Sequence, residues 1–291
     1  MPPPPAGVGS RVSLRYRLPE SGAEAFTDVV GHLEALSPVV VVRTKSGELV
    51  EINPTDVVSV RELSHAPVRN SQIRAVEHAA ALAWPGNEHQ WLDGWLLRAA
   101  GGAGKAANSA VPLLFSSDLS ALSAIAQWYG ARGLPPWLAL PERLLPVRAD
   151  GVDPHRVLTV ALSGDLDVTL PPLPDDRWLQ ISGRDVPVEV LSAVIDGDVG
   201  FATVADAAVG RVAVTTAPDG TKWAGLSEVT VRSDRRRQGH GRALCDVLLA
   251  WAAARGATHA YAQVPDDNAA ANGLAESMGF RLHHRARYVL L

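Results

Sequence analysis

The sequence holds almost no cysteine: Cys245 is the single one among 291 residues. One cysteine excludes an internal disulfide framework and a zinc site built on cysteine ligands. A surplus of positive charge is also missing, since 27 Lys and Arg residues face 31 Asp and Glu residues, for a formal net charge of −4. Nucleic acids and anionic membranes attract a basic field, so neither is expected as a partner.

Long hydrophobic runs are absent as well. No stretch approaches the ~20 apolar residues of a membrane-spanning helix, and the proline-rich start at 1–5 lacks the charged and apolar regions of a secretory signal. We therefore expect a cytoplasmic protein. Hydrophobic residues make up 47% of the chain, enough for a sizeable core, and the length indicates about two domains or three small ones.

The N-terminal part divides into a tail and a β-rich segment. Residues 1–9 are rich in proline and glycine and are predicted to be a disordered tail. Residues 10–64 contain short alternating and β-branched runs separated by turn residues, which predict four or five strands. So many short strands in one small segment are typical of an SH3-like β-barrel, a module for packing or for binding a protein partner.

Two further segments follow, at 69–172 and 176–291, with a proline-rich linker between them. The first is predicted to contain a helix at 73–83, a strand at 91–99 and another at 107–113, a helix at 119–132, and strands at 137–140 and 155–161. The second alternates strands and helices, and its helix at 241–254 carries one apolar stripe.

The stretch from Val229 to Ala243 carries the clearest chemical signal. A strand ends, a basic loop follows, and a helix begins at a position where unpaired N–H groups and a positive dipole end attract anions. Gly239 and Gly241 leave the backbone open to a phosphate. The loop and helix start also contain five arginines: Arg232, Arg235, Arg236, Arg237 and Arg242. This order predicts a pyrophosphate cradle; the alternative is a surface loop with solvated charges.

Two linked motifs resemble those of the GNAT superfamily of N-acetyltransferases. The family pattern Arg/Gln-x-x-Gly-x-Gly/Ala, placed between a strand and a helix, is met by Arg236, Gly239 and Gly241. A second group about 30 residues downstream consists of Asn268, Ala271, Leu274, Gly279 and Phe280. The resemblance covers about residues 176–291.

The resemblance implies a mixed sheet that splays open after Val231 and binds acetyl-CoA as cosubstrate. The backbone of the splayed strand would bind the pantetheine arm, and the loop amides would bind the pyrophosphate. The implied acetyl-CoA-binding residues are Val229, Val231, Arg236, Arg237, Gln238, Gly239, His240, Gly241, Arg242, Ala243 and Asn268. The acyl group would pass directly to an amine within one ternary complex, without a covalent acyl-enzyme.

The base and the acid of such a reaction need separate candidates. Glu228 on the cofactor strand is the candidate base, with an ordinary strand-face carboxylate as the alternative. Many family members protonate the leaving thiolate with a tyrosine, but Ala275 stands at that position here. Tyr288 on the last strand is a substitute acid or else a packing aromatic. Cys245 is expected to be a buried small residue rather than a nucleophile.

Adjacent histidines and the middle segment offer further candidates. His283 and His284 would point in opposite directions on a strand, so that one could face the substrate; with no second ligand cluster, a metal site is not expected. The segment 69–172 has a similar order of elements but no Gly-Arg loop, which suggests a degenerate GNAT lobe. Arg98 and Asn108 in this lobe are candidates for substrate contact or for structural roles.

The expected fold is therefore α+β, with an SH3-like barrel followed by a two-lobed GNAT arrangement. That arrangement resembles a group of actinobacterial acetyltransferases, some assigned as N-acetylglutamate synthases and others labelled as histone-acetyltransferase-like. We expect an acetyl-CoA-dependent N-acetyltransferase for a small amine, with glutamate as one candidate acceptor. Arg98, Arg281 and Arg285 are available for its carboxylates. The alternatives are a protein lysine acetyltransferase that docks through the barrel and a non-catalytic acyl-CoA sensor.

Overall fold

The computed structural model of the protein describes residues 6–18, 25–64, 66–101, 103–164 and 168–291. They form two compact units, Met1–Val68 and Arg69–Leu291. Of the predicted disordered tail, residues 1–5 lie outside the described part. The rest packs against the first unit: Ala6 is buried in its core, and the Gly9 N–H donates to the Leu33 carbonyl at 2.7 Å.

The first unit is a five-stranded antiparallel sheet, in agreement with the predicted small β domain. Its strands are β1 (Arg11–Arg17), β2 (Phe26–Ala35), β3 (Val40–Thr44), β4 (Leu49–Ile52) and β5 (Val57–Glu62). They run in the order β4-β3-β2-β1-β5. β2 is not evident from sequence, because Gly31 interrupts its apolar pattern. That glycine allows close packing: a Cβ there would lie 2.1 Å from the Arg43 carbonyl oxygen on β3.

The second unit is built around a seven-stranded mixed sheet in the order β11-β12-β13-β14-β10-β15-β9. The strands are β9 (Trp137–Pro141), β10 (Val152–Ala161), β11 (Asp198–Val204), β12 (Ala208–Thr216), β13 (Lys222–Val231), β14 (His259–Pro265) and β15 (Arg281–Leu290). β13 pairs with β14 in parallel, and the other neighbours pair antiparallel. β10 lies between β14 and β15, so one sheet crosses the domain boundary that the sequence suggests near residue 172.

A smaller sheet of three strands lies in the same unit. Its strands are β6 (Glu88–Leu92), β7 (Trp95–Ala99) and β8 (Val111–Pro112). The prediction of one continuous strand at 91–99 is wrong, because Asp93 and Gly94 both have positive φ angles, of 45° and 85°. An Asp-Gly pair in this conformation is a two-residue hairpin turn.

Helices cover both faces of the large sheet. They are α1 (Asn70–Ala83), α2 (Leu122–Gly130), α3 (Asp176–Ser182), α4 (Val188–Ser192), α5 (His240–Ala254) and α6 (Ala269–Ser277). Neighbouring residues of β13 show the two faces, since Ala224 belongs to the core formed with α5 and Trp223 to the core formed with α1. In the described residues, no helix is both long and apolar enough to cross a membrane.

Candidate active site

The large sheet opens between β13 and β14. The two strands pair only where Trp223–Leu226 faces His259–Ala262, whereas β13 stays paired with β12 up to Val231. The opening thus begins after Leu226, earlier than the predicted point after Val231. Beyond Leu226, the edge of β13 that faces β14 has no strand partner in the described chain, so its backbone groups are free to bind a ligand.

A β-bulge lies at the point of opening. Thr230 pairs with Val209 and Ser227 with Arg211, so Glu228 and Val229 together face one residue of β12, Gly210. Glu228 has a φ of 55°, in the left-handed region that side chains other than glycine rarely adopt. The inserted residue changes the direction of the strand, and the Glu228 side chain lines the opening.

A cavity of about 470 Å³ occupies this opening. Its walls come from β13, β14, α6, the C-terminal end of α1, the segment 103–107 and the last strand. The polar residues among its walls include Lys105, Asp153, His155, Arg184, Ser227, Glu228, Tyr261, Gln263, Asn268 and Tyr288. Both predicted catalytic residues, Glu228 and Tyr288, therefore line the same cavity.

Glu228 is held in a poorly solvated position. Its side chain is 9% exposed, and burial raises its pKa, against the opposing effect of Arg184 and Arg211. Arg184 Nε lies 3.3 Å from Glu228 Oε2. Among the described residues, no hydrogen-bond donor is aligned with that buried oxygen. A carboxylate with a raised pKa and an open acceptor atom is suited to take a proton from a substrate.

Tyr288 lies across the cavity on β15. Its ring centroid is 5.5 Å from that of His155, and burial raises the pKa of its hydroxyl to about 12. The hydroxyl therefore stays protonated at neutral pH and can donate a proton. Ala275 also lines the cavity, so the position that carries the family's usual tyrosine supplies only a methyl group here.

The loop before α5 presents backbone amides and positive charge together. Gly239 caps the helix with a φ of 84°, and a Cβ at that residue would meet no atom within 4 Å. The first N–H groups of a helix lack intrahelical partners. Residues 236–239 are exposed, as are Arg242 and Ala243, and His240 and Gly241 are partly exposed. This geometry fits an anion such as a pyrophosphate.

The arginines of this loop divide into two groups. Arg232 and Arg235 pair with Asp234, and Arg242 donates to Ser277 near the end of α6. Within the described chain, Arg236 and Arg237 have no carboxylate partner. They are therefore the cations best placed to meet a bound anion.

Asn268 holds the start of α6 at the cavity wall. Its Oδ1 accepts the Ala271 N–H at 3.1 Å, and the residue lines the cavity. Gly241 connects the loop to the same wall, since a Cβ there would lie 3.4 Å from both Leu274 Cδ2 and Val231 Cγ2. The two sequence motifs thus lie side by side in the fold.

The two candidates from the middle segment are engaged in local structure. Arg98 is buried and donates to the Ser109 and Trp84 carbonyls and to the Ser109 hydroxyl. Asn108 accepts from the Ala100 N–H at 2.7 Å and donates to the Gly104 carbonyl at 2.9 Å. Neither residue lines the large cavity, so these contacts do not support a role in substrate binding.

The arginines considered for a dicarboxylic acceptor do not converge. Arg285 donates to both oxygens of Asp266, at 2.8 and 2.7 Å. Arg281 donates to the Phe280 carbonyl at 3.0 Å, and Arg98 is held by Ser109 and Trp84 as described above. None of the three lines the large cavity.

The two adjacent histidines lie on the same side of their strand, so the expectation that they point in opposite directions is wrong. Val157 pairs with His284 and Leu158 with Leu282, which leaves His283 as an inserted residue in a bulge of β15. Their Nδ1 atoms are 2.8 Å apart. Among the described residues, no group of three or more His, Cys, Asp or Glu is placed to hold a metal ion.

Sequence reasoning missed two charged residues near the cavity. Arg184, which pairs with Glu228, follows α3 in a segment without any motif. Glu77, on the buried face of α1, lies 2.8 Å from His284 Nε2. A single glutamate in a helix carries no signal of burial, so only the folded structure shows that Glu77 is buried.

Cys245 lines the cavity, and burial raises the pKa of its thiol to about 11, which keeps it protonated.

Comparisons with known proteins agree with this geometry. A family profile described as "Probable histone acetyltransferase Rv0428c C-terminal" matches residues 70–289, and one described as "Rv0428c N-terminal Sm-like domain" matches residues 6–61. A relative from Mycobacterium tuberculosis, named probable histone acetyltransferase Rv0428c, is 50% identical over 289 residues. That alignment covers 97% of this chain and 95% of the relative.

Two solved structures align with this chain at low sequence identity. A GCN5-related N-acetyltransferase from Kribbella flavida aligns with a TM-score of 0.50 and 19% identity, over 77% of this chain and 96% of its own. A GNAT-family acetyltransferase from Novosphingobium aromaticivorans aligns with a TM-score of 0.49 and 19% identity, over 73% and 95% of the two chains. The first alignment supports a GNAT fold for the second unit.

Proposed function

This chain belongs to the Rv0428c family and is a GNAT-type acyltransferase. We propose that it transfers the acetyl group of acetyl-CoA directly to a primary amine. The observation that carries the proposal is the opening between β13 and β14, next to a helix start with exposed residues and two arginines that have no carboxylate partner in the described chain. The opening also contains a poorly solvated carboxylate and a protonated tyrosine.

Acetyl-CoA would supply the acetyl group activated as a thioester. The free edge of β13 from Ser227 to Val231 would bind its extended arm through main-chain groups. The amides of residues 237–242, together with Arg236 and Arg237, would hold its pyrophosphate, while the Ala243 N–H already donates to the Gly239 carbonyl at 3.0 Å. Asn268 would keep the start of α6 against the same arm.

Glu228 acts as the general base. A primary ammonium must lose a proton before its nitrogen can attack a carbonyl carbon, and the Glu228 carboxylate would receive that proton. Its raised pKa brings it closer to neutral pH, where proton transfer from an amine is more favourable than to an ordinary carboxylate. Arg184 opposes the rise in pKa and so favours the ionised carboxylate.

Tyr288 acts as the general acid. Its hydroxyl gives a proton to the sulfur that leaves when the new amide forms. A pKa of about 12 keeps the proton available. After it has given up this proton, Tyr288 has to be reprotonated before the next turnover.

The acceptor we propose is a lysine side chain of a protein, as the name of the Mycobacterium tuberculosis relative suggests. The proton of a cationic alkyl amine would pass to Glu228 in the cavity wall, while Asp153 in the same wall pairs with Lys105 at 2.7 Å. A free amino acid such as glutamate is the second candidate, and the separation of Arg98, Arg281 and Arg285 counts against it.

The test measures thiol release from acetyl-CoA with a lysine-containing histone peptide, the same peptide with its lysines acetylated, and a panel of free amino acids including glutamate. We expect release with the unmodified peptide alone. Release with free glutamate and not with the peptide would reverse the order of the two acceptors. Calorimetric binding of acetyl-CoA without turnover on any acceptor would contradict catalysis and indicate an acyl-CoA sensor.

A further inference from the structure

A lysine of the chain itself lies in the wall of the large cavity. The chain has three lysines, Lys45, Lys105 and Lys222, and of these Lys105 alone lines the cavity. Lys45 follows β3 in the first unit and Lys222 begins β13, and both are exposed. The reaction proposed above consumes a primary amine, so the cavity wall already contains the chemical group that its acceptor must supply.

The backbone of Lys105 is fixed at this wall by Asn108. Lys105 begins a short helical turn, Lys105–Ala107, that follows Gly104. The Asn108 side chain donates to the Gly104 carbonyl at 2.9 Å, and the Asn108 N–H donates to the Lys105 carbonyl at 3.1 Å. Movement of the Lys105 amine therefore depends on its side chain.

The Lys105 ammonium is held by contacts that are easily exchanged. Its Nζ lies 2.7 Å from Asp153 Oδ2 and 4.8 Å from the centroid of the Trp137 ring. The Asp153 side chain is 59% exposed and the Lys105 side chain 31%. Ion pairs this exposed contribute little to stability, and the four-carbon stem of lysine is flexible. The amine can therefore leave Asp153 and turn into the cavity at low cost.

The ion pair lies at the end of the cavity that contains Tyr288. Val152, the neighbour of Asp153, pairs with Tyr288 between β10 and β15. Asp153 is close enough to contribute to the raised pKa of the Tyr288 hydroxyl. Glu228 lines the same cavity. A Lys105 side chain that turns inward thus enters the space that contains both the proposed base and the proposed acid.

We propose that Lys105 is acetylated by the active site of its own chain. The inference rests on the proposed function, because it requires acetyl-CoA in the opening and transfer to a primary amine. It extends that function by assigning a modification site and an internal acceptor. An amine attached to the cavity wall has a high effective concentration and needs no separate binding step.

The atoms and protons of the step balance. The Lys105 ammonium gives one proton to Glu228, which passes it to solvent. Nζ then attacks the thioester carbonyl carbon, so that an N–C bond forms and the C–S bond breaks. The sulfur takes the hydroxyl proton of Tyr288, and the second proton that the nitrogen loses restores that hydroxyl. The products are acetyl-lysine, CoA with a free thiol, and one proton in solvent.

The modification changes the charge of the cavity wall. Acetylation removes the positive charge of a lysine and its ability to form a salt bridge. Asp153 then loses Lys105 as its partner, and the wall becomes more negative by one charge. A more negative wall attracts a cationic amine more strongly, so the acetylated chain is better suited than the unmodified chain to a lysine acceptor.

The test incubates the full chain with acetyl-CoA and no other acceptor. Mass spectrometry of protease fragments measures the acetylation of each lysine over time. Lys45 and Lys222 are internal controls, because both are more exposed than Lys105 and would react with the thioester at least as fast by simple chemistry. Glu228→Gln tests the need for the active site, and Glu189→Gln, which changes an exposed glutamate of α4, is its matched control.

A mixture of two chains separates reaction within one molecule from reaction between molecules. Glu228→Gln is labelled with nitrogen-15 and mixed with unlabelled wild type, so that fragments of the two chains differ in mass. Acetyl-CoA binding by Glu228→Gln, measured by calorimetry, checks that the variant is folded.

We expect acetylation of Lys105 at least about 10-fold faster than that of Lys45 and Lys222 in the wild type and in Glu189→Gln. In Glu228→Gln, alone or in the mixture, Lys105 should react no faster than the two control lysines. Equal rates at the three lysines of the wild type, or an acetylated Lys105 in the labelled chain, would overturn the inference. If Lys105 stays unmodified while a lysine peptide is acetylated, the inference fails and the proposed function stands. If neither is acetylated although acetyl-CoA binds, both fail.

Discussion

Glu228 combines two unfavourable conditions in one residue. Its backbone has a φ of 55°, and its carboxylate is buried beside a single exposed arginine. Strained backbone and poorly solvated charge both destabilise a fold, and they concentrate where function requires them. At this position the bulge turns the side chain towards the cavity, and burial raises the pKa of its carboxyl group.

Replacing this carboxylate should lower the rate of catalysis without lowering the stability of the fold. We expect Glu228→Gln to lower kcat at least about 100-fold, with little change in the KM for acetyl-CoA. The melting temperature at pH 7 should not fall, because a carboxyl whose pKa is raised by folding destabilises the folded state once it is ionised. Steady-state kinetics and thermal melts test both points. Glu189→Gln, an exposed glutamate of α4, is the control, and an equal loss in both variants would contradict the role.

Replacing Arg184 should shift the pH dependence of kcat/KM in a known direction. Arg184 lowers the pKa of Glu228, so Arg184→Gln should raise that pKa further. The base is active when deprotonated, so the acid limb of kcat/KM should move to higher pH. Arg177→Gln, which removes an exposed arginine paired with Asp206, should leave the limb in place. A limb that stays unchanged in Arg184→Gln, or moves to lower pH, would exclude Glu228 as the titrating group.

At the scale of single residues, the sequence indicates the kind of side chain but not its surroundings. The sequence indicates Glu228 and Tyr288 by their places on strands and Asn268 by its place in a motif, and all three residues line the cavity. Arg98 and Asn108 are equally polar, yet their hydrogen-bond partners are main-chain groups and the Ser109 hydroxyl. Their hydrogen bonds depend on how the chain folds back on itself, which no local pattern records.

At the scale of elements, the turn from β13 into α5 joins a strand end, a left-handed glycine and a helix start. We expect Gly239→Glu to weaken acetyl-CoA binding at least about 30-fold, about 2 kcal/mol, since a carboxylate there would repel the pyrophosphate. Calorimetry measures the affinity.

Gly256→Glu is the control for this substitution. Gly256 lies just beyond the other end of α5, has a φ of 83° and is exposed, so it carries the same backbone strain and added charge. Equal affinities for the two variants would contradict the assignment of the loop.

Regular elements with strong periodicity could be predicted, and irregular ones could not. The apolar stripe of α5, the β-branched run of β3 and the long apolar strand β13 are visible in the sequence. β2 and the two bulges are not visible, because they depend on pairing between distant segments. The Asp93-Gly94 pair is the turn that separates β6 from β7, and such a pair is a hairpin signal in sequence.

At the scale of the whole molecule, the continuity of the large sheet sets which parts of the chain can fold alone. We expect a fragment of residues 69–291 to melt cooperatively and to bind acetyl-CoA as the full chain does, since it contains the whole cavity and both catalytic candidates. A fragment of residues 176–291 should not fold, because it lacks β10, the strand between β14 and β15. Circular dichroism and calorimetry distinguish these outcomes, and cooperative melting of the shorter fragment would contradict the prediction.

The end of pairing between β13 and β14 after Leu226 has a consequence for aggregation of the protein at high concentration. Unpaired strand edges commonly recruit other chains and promote aggregation. Here the free edge from Ser227 onward borders an internal cleft, instead of an outer rim of the sheet. The unpaired main-chain groups of this edge are therefore less accessible to neighbouring molecules than those of an outer edge strand. The edge can stay unpaired with less tendency to aggregate.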